Sequence, residues 1–554
     1  MRGADCGTTT LEYAYNATTG LLSSLNATVQ NSSIPVTYTY QGANQLRSKA
    51  IGSVMTKAYN FRSDSGYATA LPDYVNYRDS SGNLIYGDNC HYDSNGRLVK
   101  ILDSGSSTTT RATYGYDQQG QLTSATVGGT RYEYSYDTAG NIQSKKVGST
   151  TTNYYTYGNS AWRDLLTAYG GNTITYSGGN PTKYYDGSTF TWTQGRRLAT
   201  AKVGSTNISY TYDMAGVRSS KTVGSTKYDF TTLSGLVTRQ TGGGKTIDFV
   251  YDENNQPLAM KYNNTLYYYV LNAQGDVIAL ADQNGNLIAK YSYDPWGKLL
   301  SVTPNGWLDE QNAYYLEVAE ANPLRYRGYY YDSETGFYYL QSRYYDPEIG
   351  RFINADSYAS TDATGLLSTN MFAYCENDPV NGSDPNGEWI HIAIGSAMGA
   401  VTSIITGYAS AKQAGKDYSL FMAVTDGLSG AASGALAASG VGMVGQIIGN
   451  AAIEVTKGIV NGQSSANEII ENAISGGANG LIGGKGASYG NANSITKSGK
   501  QMLKRIFKYK DPVKKAYAHY KKTAHCKGGK FVLSELSKSF AKTTAFSLFK
   551  GSTR

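Results

Sequence analysis

Apolar and polar side chains alternate with period two through much of the first half of the chain. Thr130-Arg-Tyr-Glu-Tyr-Ser-Tyr136 is a clear case, and such alternation predicts a half-buried strand. One phrase punctuates these stretches. It reads His91-Tyr-Asp-Ser-Asn-Gly-Arg-Leu98, Gly115-Tyr-Asp-Gln-Gln-Gly-Gln-Leu122, Ser135-Tyr-Asp-Thr-Ala-Gly-Asn-Ile142 and Thr211-Tyr-Asp-Met-Ala-Gly-Val217. Weaker copies lie at Tyr251-Asp252, Asn272 to Val277 and Asp282 to Leu287. Copies are often about 20 to 25 residues apart, a period that marks a repeat architecture.

Each copy predicts a hairpin. Tyr ends a strand with its ring on the sheet, as a packing residue. Asp caps a short turn through its carboxylate, and the glycine takes the positive φ that follows. Gly96, Gly120, Gly140 and Gly216 are therefore expected in that conformation, next to a bulge. One hairpin is marginal in water, but stacked hairpins share one long sheet.

Behind Gly387 the pattern breaks. Trp389 to Ala411 and Gly427 to Ile453 contain no Asp, Glu, Lys or Arg. Small residues recur four apart at Gly395/Gly399, Gly430/Gly434 and Gly445/Gly449. Each run is long enough to span a bilayer as a helix, and such spacing lets helices pack closely in lipid. A soluble helical hairpin, or a segment held inside a shell, fits the same pattern. A shorter run, Asn472 to Gly484, has the same flavour.

Composition supports many short strands: 50 Tyr and 64 Gly stand against 13 Phe and 11 Pro in 554 residues. That length implies more than one module. Cys6, Cys90, Cys375 and Cys526 form no CxxC pair, so neither a disulfide framework nor a zinc site is expected. No metal or cofactor is implied.

The net charge of +7 hides an asymmetry. From Lys485 onward, 17 Lys and Arg face two acids, Asp511 and Glu535, giving about +15 and leaving about −8 before them. Phe507, Tyr509, Tyr517 and Tyr520 interleave with this charge, which suits a phosphate backbone with base stacking, or an anionic lipid surface. His519, His525 and Cys526 lie close together, but a nuclease usually wants acids as well. No apolar leader follows Met1. A secreted or surface protein with its export signals elsewhere is expected.

The phrase Y-D-x-x-G-x-L, repeated, resembles the RHS/YD-repeat polymorphic toxin family. Tyr293-Asp-Pro-Trp-Gly297 and the run from Asn322 to Phe352, with Arg343-Tyr-Tyr-Asp-Pro-Glu-Ile-Gly-Arg-Phe352 at its end, closely resemble the RHS-repeat-associated core module. The likeness continues through Ile353-Asn-Ala-Asp-Ser357 and closes at Asn377-Asp-Pro-Val-Asn-Gly-Ser-Asp-Pro-Asn-Gly387. It implies a mainly β fold: a spiral YD-repeat shell over 1–308, hollow and teneurin-like, with a core module over 309–388 coiling inward. Gly/Ala-rich helices over 389–484 and a basic tip over 485–554 would then be the cargo, a small α-helical C-terminal segment. An adhesion or recognition protein, or a decayed toxin, is the alternative.

The resemblance further implies self-cleavage just after D-P-x-G by chemistry like that of aspartyl proteases, in which two carboxylates share a proton. It points to Asp356 and to Asp384 of Asp384-Pro385-Asn-Gly387, with Arg351 as a partner for a carboxylate. Asp346, Asp362 and Asp378 are the other acids nearby. Ser357 and Glu388 depart from the family pattern, which often has Pro and Leu there. The cut is expected near Glu388-Trp389. The partners implied are the chain's own C-terminal segment, an immunity protein, and a membrane or nucleic acid.

Overall fold

The repeated turn sets the architecture. The computed structural model describes residues 2–392 apart from 6–8, 42–44, 65–66, 107–108, 307–308, 357–369 and 388–390. Sixteen strands, from Arg2–Asp5 to Asn172–Thr173, form one sheet, and fourteen, from Thr175–Ser177 to Leu299–Pro304, form a second. In both sheets each strand pairs with its neighbours in sequence, and the pairings are antiparallel. The chain divides into two units, 1–395 and 396–554. The second lies outside the described residues, and with it the glycine runs at Gly399, Gly430, Gly434, Gly445 and Gly449 and the basic tip; Gly395 does too.

At Tyr136-Asp137 the turn works as follows. The Asp137 carboxylate accepts the amides of Ala139 and Asn141, both at 2.9 Å, and Gly140 N–H donates to the Asp137 carbonyl. Gly140 has φ 74°, and Gly96, Gly120 and Gly216 have φ 78°, 92° and 90°. A register shift falls between Ser135 and Tyr136, so each turn is followed by a one-residue bulge. At Asp252 the glycine is replaced by Asn255, which takes φ 61°, as a short polar side chain can.

The tyrosine does more than pack. Its hydroxyl donates to a strand carbonyl one repeat back: Tyr116 to Leu98 (2.6 Å), Tyr212 to Leu198 (2.8 Å), Tyr251 to Val237 (2.9 Å) and Tyr293 to Val277 (2.7 Å). Each copy is therefore tied to the one before it.

The ribbon also returns on itself. Strands between Leu25 and Tyr77 share a core with strands between Val250 and Ala281. At that seam the Lys49 ammonium meets Asp252 (2.6 Å) and Glu253 (2.8 Å), and Tyr77 accepts the amide of Leu271. Gly285, at φ 82°, sits so close that a Cβ would lie 2.7 Å from the Val54 carbonyl oxygen.

After Pro304 the chain forms a helix, Glu310–Ala321, whose N-terminus is capped by the Asp309 carboxylate on Asn312 N–H. The sequence reading did not anticipate this helix. A four-stranded sheet follows: Tyr330–Asp332, Phe337–Leu340, Arg343–Asp346 and Arg351–Phe352. Every residue of 337–340 and 343–346 is buried, unlike alternating shell strands such as Thr206–Tyr212, so these strands are covered on both faces. It shares one apolar core with shell strands from Cys90 to Ala289.

Polar contacts join the two layers. The Arg218 guanidinium, 1% exposed, pairs with Asp332, and Lys221 pairs with Asp332 (3.0 Å) and Glu334 (2.9 Å). Burial alone would raise the Asp332 carboxyl, but the two cations outweigh it and hold it below its ordinary value. Cys90 and Cys375 are buried thiols. Among the described residues no helix is long and apolar enough to cross a membrane.

Candidate functional site

Arg343 opens a strand on which every side chain is buried, so its guanidinium must find its partners inside the protein. Its Cζ lies 3.5 Å from the centre of the Phe352 ring. Nη2 lies 3.1 Å from an Asp356 oxygen and 3.3 Å from an Asp384 oxygen. One nitrogen thus stands between two carboxylates that are far apart in sequence. Nη1 donates to the Met371 carbonyl (3.2 Å), and Nε donates to the carbonyl of Gly387.

The closing turn is held equally firmly. Ser342 Oγ donates to the Gly387 carbonyl (2.8 Å), and Ser342 N–H donates to the Asn386 carbonyl (3.2 Å). Gly387 takes φ 73°, where a Cβ would lie 2.7 Å from Ser342 Oγ and 2.8 Å from the Leu340 carbonyl oxygen. Glycine is therefore required there twice over, by conformation and by space. Asp384 is buried, and its amide donates to the Tyr329 hydroxyl at 2.6 Å. Pro385, between them, is exposed.

Asp356 is less enclosed, at 13% exposure. Its second oxygen faces Arg196 Nη1 at 3.4 Å, and its amide donates to the Met371 carbonyl (3.0 Å). The structure thus brings Asp356, Asp384 and Gly387 together around Arg343. Glu388, Trp389 and Asp362 lie outside the described residues.

Arg351 stands elsewhere. Its guanidinium donates to the Tyr157 hydroxyl (2.8 Å), the Asp164 carbonyl (2.8 Å), Asn141 and Asn370. It braces the core module against the shell and touches neither carboxylate. The two carboxylates share one guanidinium, the kind of opposite charge that lowers the cost of placing acids side by side.

Two other acids occupy separate places. Burial pushes the Asp346 carboxyl up to about 7; the Glu348 amide and the Tyr184 and Tyr185 hydroxyls offset this only in part. Burial also raises Asp378, to about 6, against the opposing hydrogen bonds of Asn381. Neither bonds to Arg343. Among the described residues no group of three His, Cys, Asp or Glu side chains is placed to hold a metal ion.

The model of one family, Teneurin YD-shell, matches residues 81–380. The chain belongs to the teneurin YD-shell family. It is 36% identical over 244 residues to the tRNA3(Ser)-specific nuclease WapA of Bacillus spizizenii, a match covering 42% of this chain and 10% of that protein. It is 33% identical over 131 residues to the toxin protein Tse5 of Pseudomonas aeruginosa, covering 24% of this chain and 8% of that one. These relatives place the YD shell among the RHS/YD-repeat polymorphic toxins. The chain spans about a tenth of the length of the WapA relatives it matches. In fold it resembles the crystal structure of TcdB2-TccC3-Cdc42, with TM-score 0.56 and 19% identity over 68% of this chain and 20% of that one.

Proposed function

We propose that this YD-shell protein delivers a toxin, cutting its own chain between Glu388 and Trp389 to free the C-terminal segment as cargo. The observation that carries this reading is the single Arg343 nitrogen shared by Asp356 and Asp384, on a guanidinium whose Nε also holds the Gly387 carbonyl. The names of the relatives, a nuclease and a toxin, support the same reading.

In the proposed reaction one of the two aspartates takes a proton from water as the water oxygen bonds to the scissile carbonyl carbon. Collapse breaks the carbon–nitrogen bond, and the same carboxyl returns the proton to the leaving amine of Trp389. The products are the main-chain carboxylate of Glu388 and the protonated amine of Trp389, with water as the other reactant. Arg343 and Ser342 hold the Gly387 carbonyl, and fixing the chain beside a reacting bond is where most of an intramolecular advantage arises. The freed piece carries the basic tip, whose charge suits a nucleic acid or an anionic membrane. An immunity protein would then protect the producing cell.

The test is intact mass under denaturing conditions. The wild-type chain should give one fragment ending at Glu388 and one beginning at Trp389, while Asp356→Asn and Asp384→Asn should remain whole. Cleavage in both Asn variants would show that these residues only form turns. A folded wild-type chain that stays whole would favour a YD-repeat recognition protein, which has no need of a cut.

A further inference from the structure

We propose that Arg196, on a shell hairpin, is a positioning residue for Asp356, and that it makes self-cleavage conditional on seating of the shell against the core module. This inference rests on the self-cleavage reading above. Asp384, Arg343 and Ser342 all belong to the core module. Asp356 is the member of the site that the shell also grips, and it does so from three directions.

The first grip is electrostatic. Arg196 lies in the turn between strands Thr189–Thr193 and Arg197–Val203. Its Nη1 is 3.4 Å from Asp356 Oδ1, while Arg343 Nη2 is 3.1 Å from Oδ2. The two guanidiniums thus fix both oxygens of one carboxylate, setting its plane as well as its place.

The second grip is on the backbone next door. Ala355 N–H donates to the Gly179 carbonyl (3.2 Å). Gly179 has φ 81°, and a Cβ there would lie 2.8 Å from the Trp162 ring and 3.1 Å from Ala355 Cβ. Asn180 Nδ2 donates to the Gly195 carbonyl (2.6 Å), joining this turn to the one that carries Arg196. The third grip is apolar: Leu165, Met371 and Phe372 form a small core, with Trp162, Tyr176 and Ala355 packed against it. The Asp164 carboxylate also accepts the Met371 amide (2.9 Å).

Until residues 162–197 are docked, Asp356 lacks its second cation and its neighbours lack their seat. The core module alone therefore holds an incomplete site. Cutting comes last, after the shell has seated on the core module, and a chain caught half-folded stays in one piece.

Fragment appearance timed during cell-free synthesis of the full chain tests this, with Asp384→Asn as the uncut control. Arg196→Gln should slow cleavage by about tenfold or more, the effect of one hydrogen bond between charged groups. Arg196→Lys should recover part of the rate, since a merely structural side chain of that length gains nothing from the charge. Gly179→Ala, which acts on the second grip, should slow cleavage as well. The melting temperature of Arg196→Gln in the Asp384→Asn background should stay near that of its parent, because a partly exposed pair contributes little stability. A wild-type rate in Arg196→Gln, with Asp384→Asn still uncut, overturns the coupling and leaves self-cleavage standing. A Lys variant as slow as the Gln variant also overturns it. If Asp384→Asn itself is cut, or wild type never is, the reading beneath it fails.

Discussion

Asp346 makes the junction between core module and shell sensitive to pH, and Asp346→Asn measures by how much. Its carboxyl titrates at about 7 in the folded chain against 3.8 for a free side chain. The folded state therefore binds the proton more tightly than the unfolded state. The resulting stability is fully present below the unfolded value and is lost as pH rises through about 7. At about 1.4 kcal/mol per pH unit, the loss across that window is roughly 4 kcal/mol. The groups facing Asp346 are the Tyr184 and Tyr185 hydroxyls from the shell and the amide and carboxylate of Glu348, which Lys298 pairs at 2.5 Å and whose backbone carbonyl Lys145 meets at 3.3 Å. Asparagine keeps the shape and does not titrate. Urea midpoints of parent and variant, both in an Asp384→Asn background to keep one covalent chain, should be read from pH 4.5 to 9 by the fluorescence of buried Trp296. The parent's advantage should shrink steadily towards alkaline pH. A constant difference, or one that grows as pH rises, would refute the argument.

Two further outcomes follow from the buried polar ties. Asp332→Asn leaves Arg218 and Lys221 short of their anion and should cost about 3–5 kcal/mol in urea unfolding at neutral pH. The same stability should vanish from the wild type on acidification below the ordinary carboxylate range, because the Asp332 carboxyl is held low in the folded state; a cost under about 1 kcal/mol would contradict the burial argument. Tyr251→Phe removes the hydroxyl on the Val237 carbonyl while keeping the ring, and should destabilise by about 1–2 kcal/mol. An unchanged midpoint there would reduce the tyrosine to packing alone.

The shell was legible because its information is local. In a hairpin such as that at Tyr136 an aspartate, a glycine and the strand ends lie within eight residues, and the turn chemistry of Asp137 and Gly140 depends on nothing further away. The tyrosine's hydrogen bond spans a whole repeat, so the same reading saw only its ring. Asp356 and Asp384 stood out through the resemblance, but their partner did not. Arg351 reads from the sequence as a partner for a carboxylate or as a strand cap, yet its guanidinium goes to Tyr157 and Asp164. Arg343, in Gln-Ser-Arg343-Tyr-Tyr, carried a usable signal: a cation in a tyrosine-rich hairpin with no polar face needs a buried anion. Arg196 carried none, since its pairing spans 160 residues and its turn, Gln194-Gly195, reads as an ordinary surface loop.

The seam between Lys49 and Asp252 has a consequence for how such a ribbon can vary. Bulged aspartate turns of one kind recur along the ribbon, so a repeat could be inserted or lost without disturbing the register on either side. The seam does not share that tolerance. Removing one repeat between residues 49 and 252 would bring a different turn opposite Lys49 and lift Gly285 off the Val54 carbonyl. The seam acts as a vernier: it fixes how many strands make one circuit, and leaves the number of circuits open.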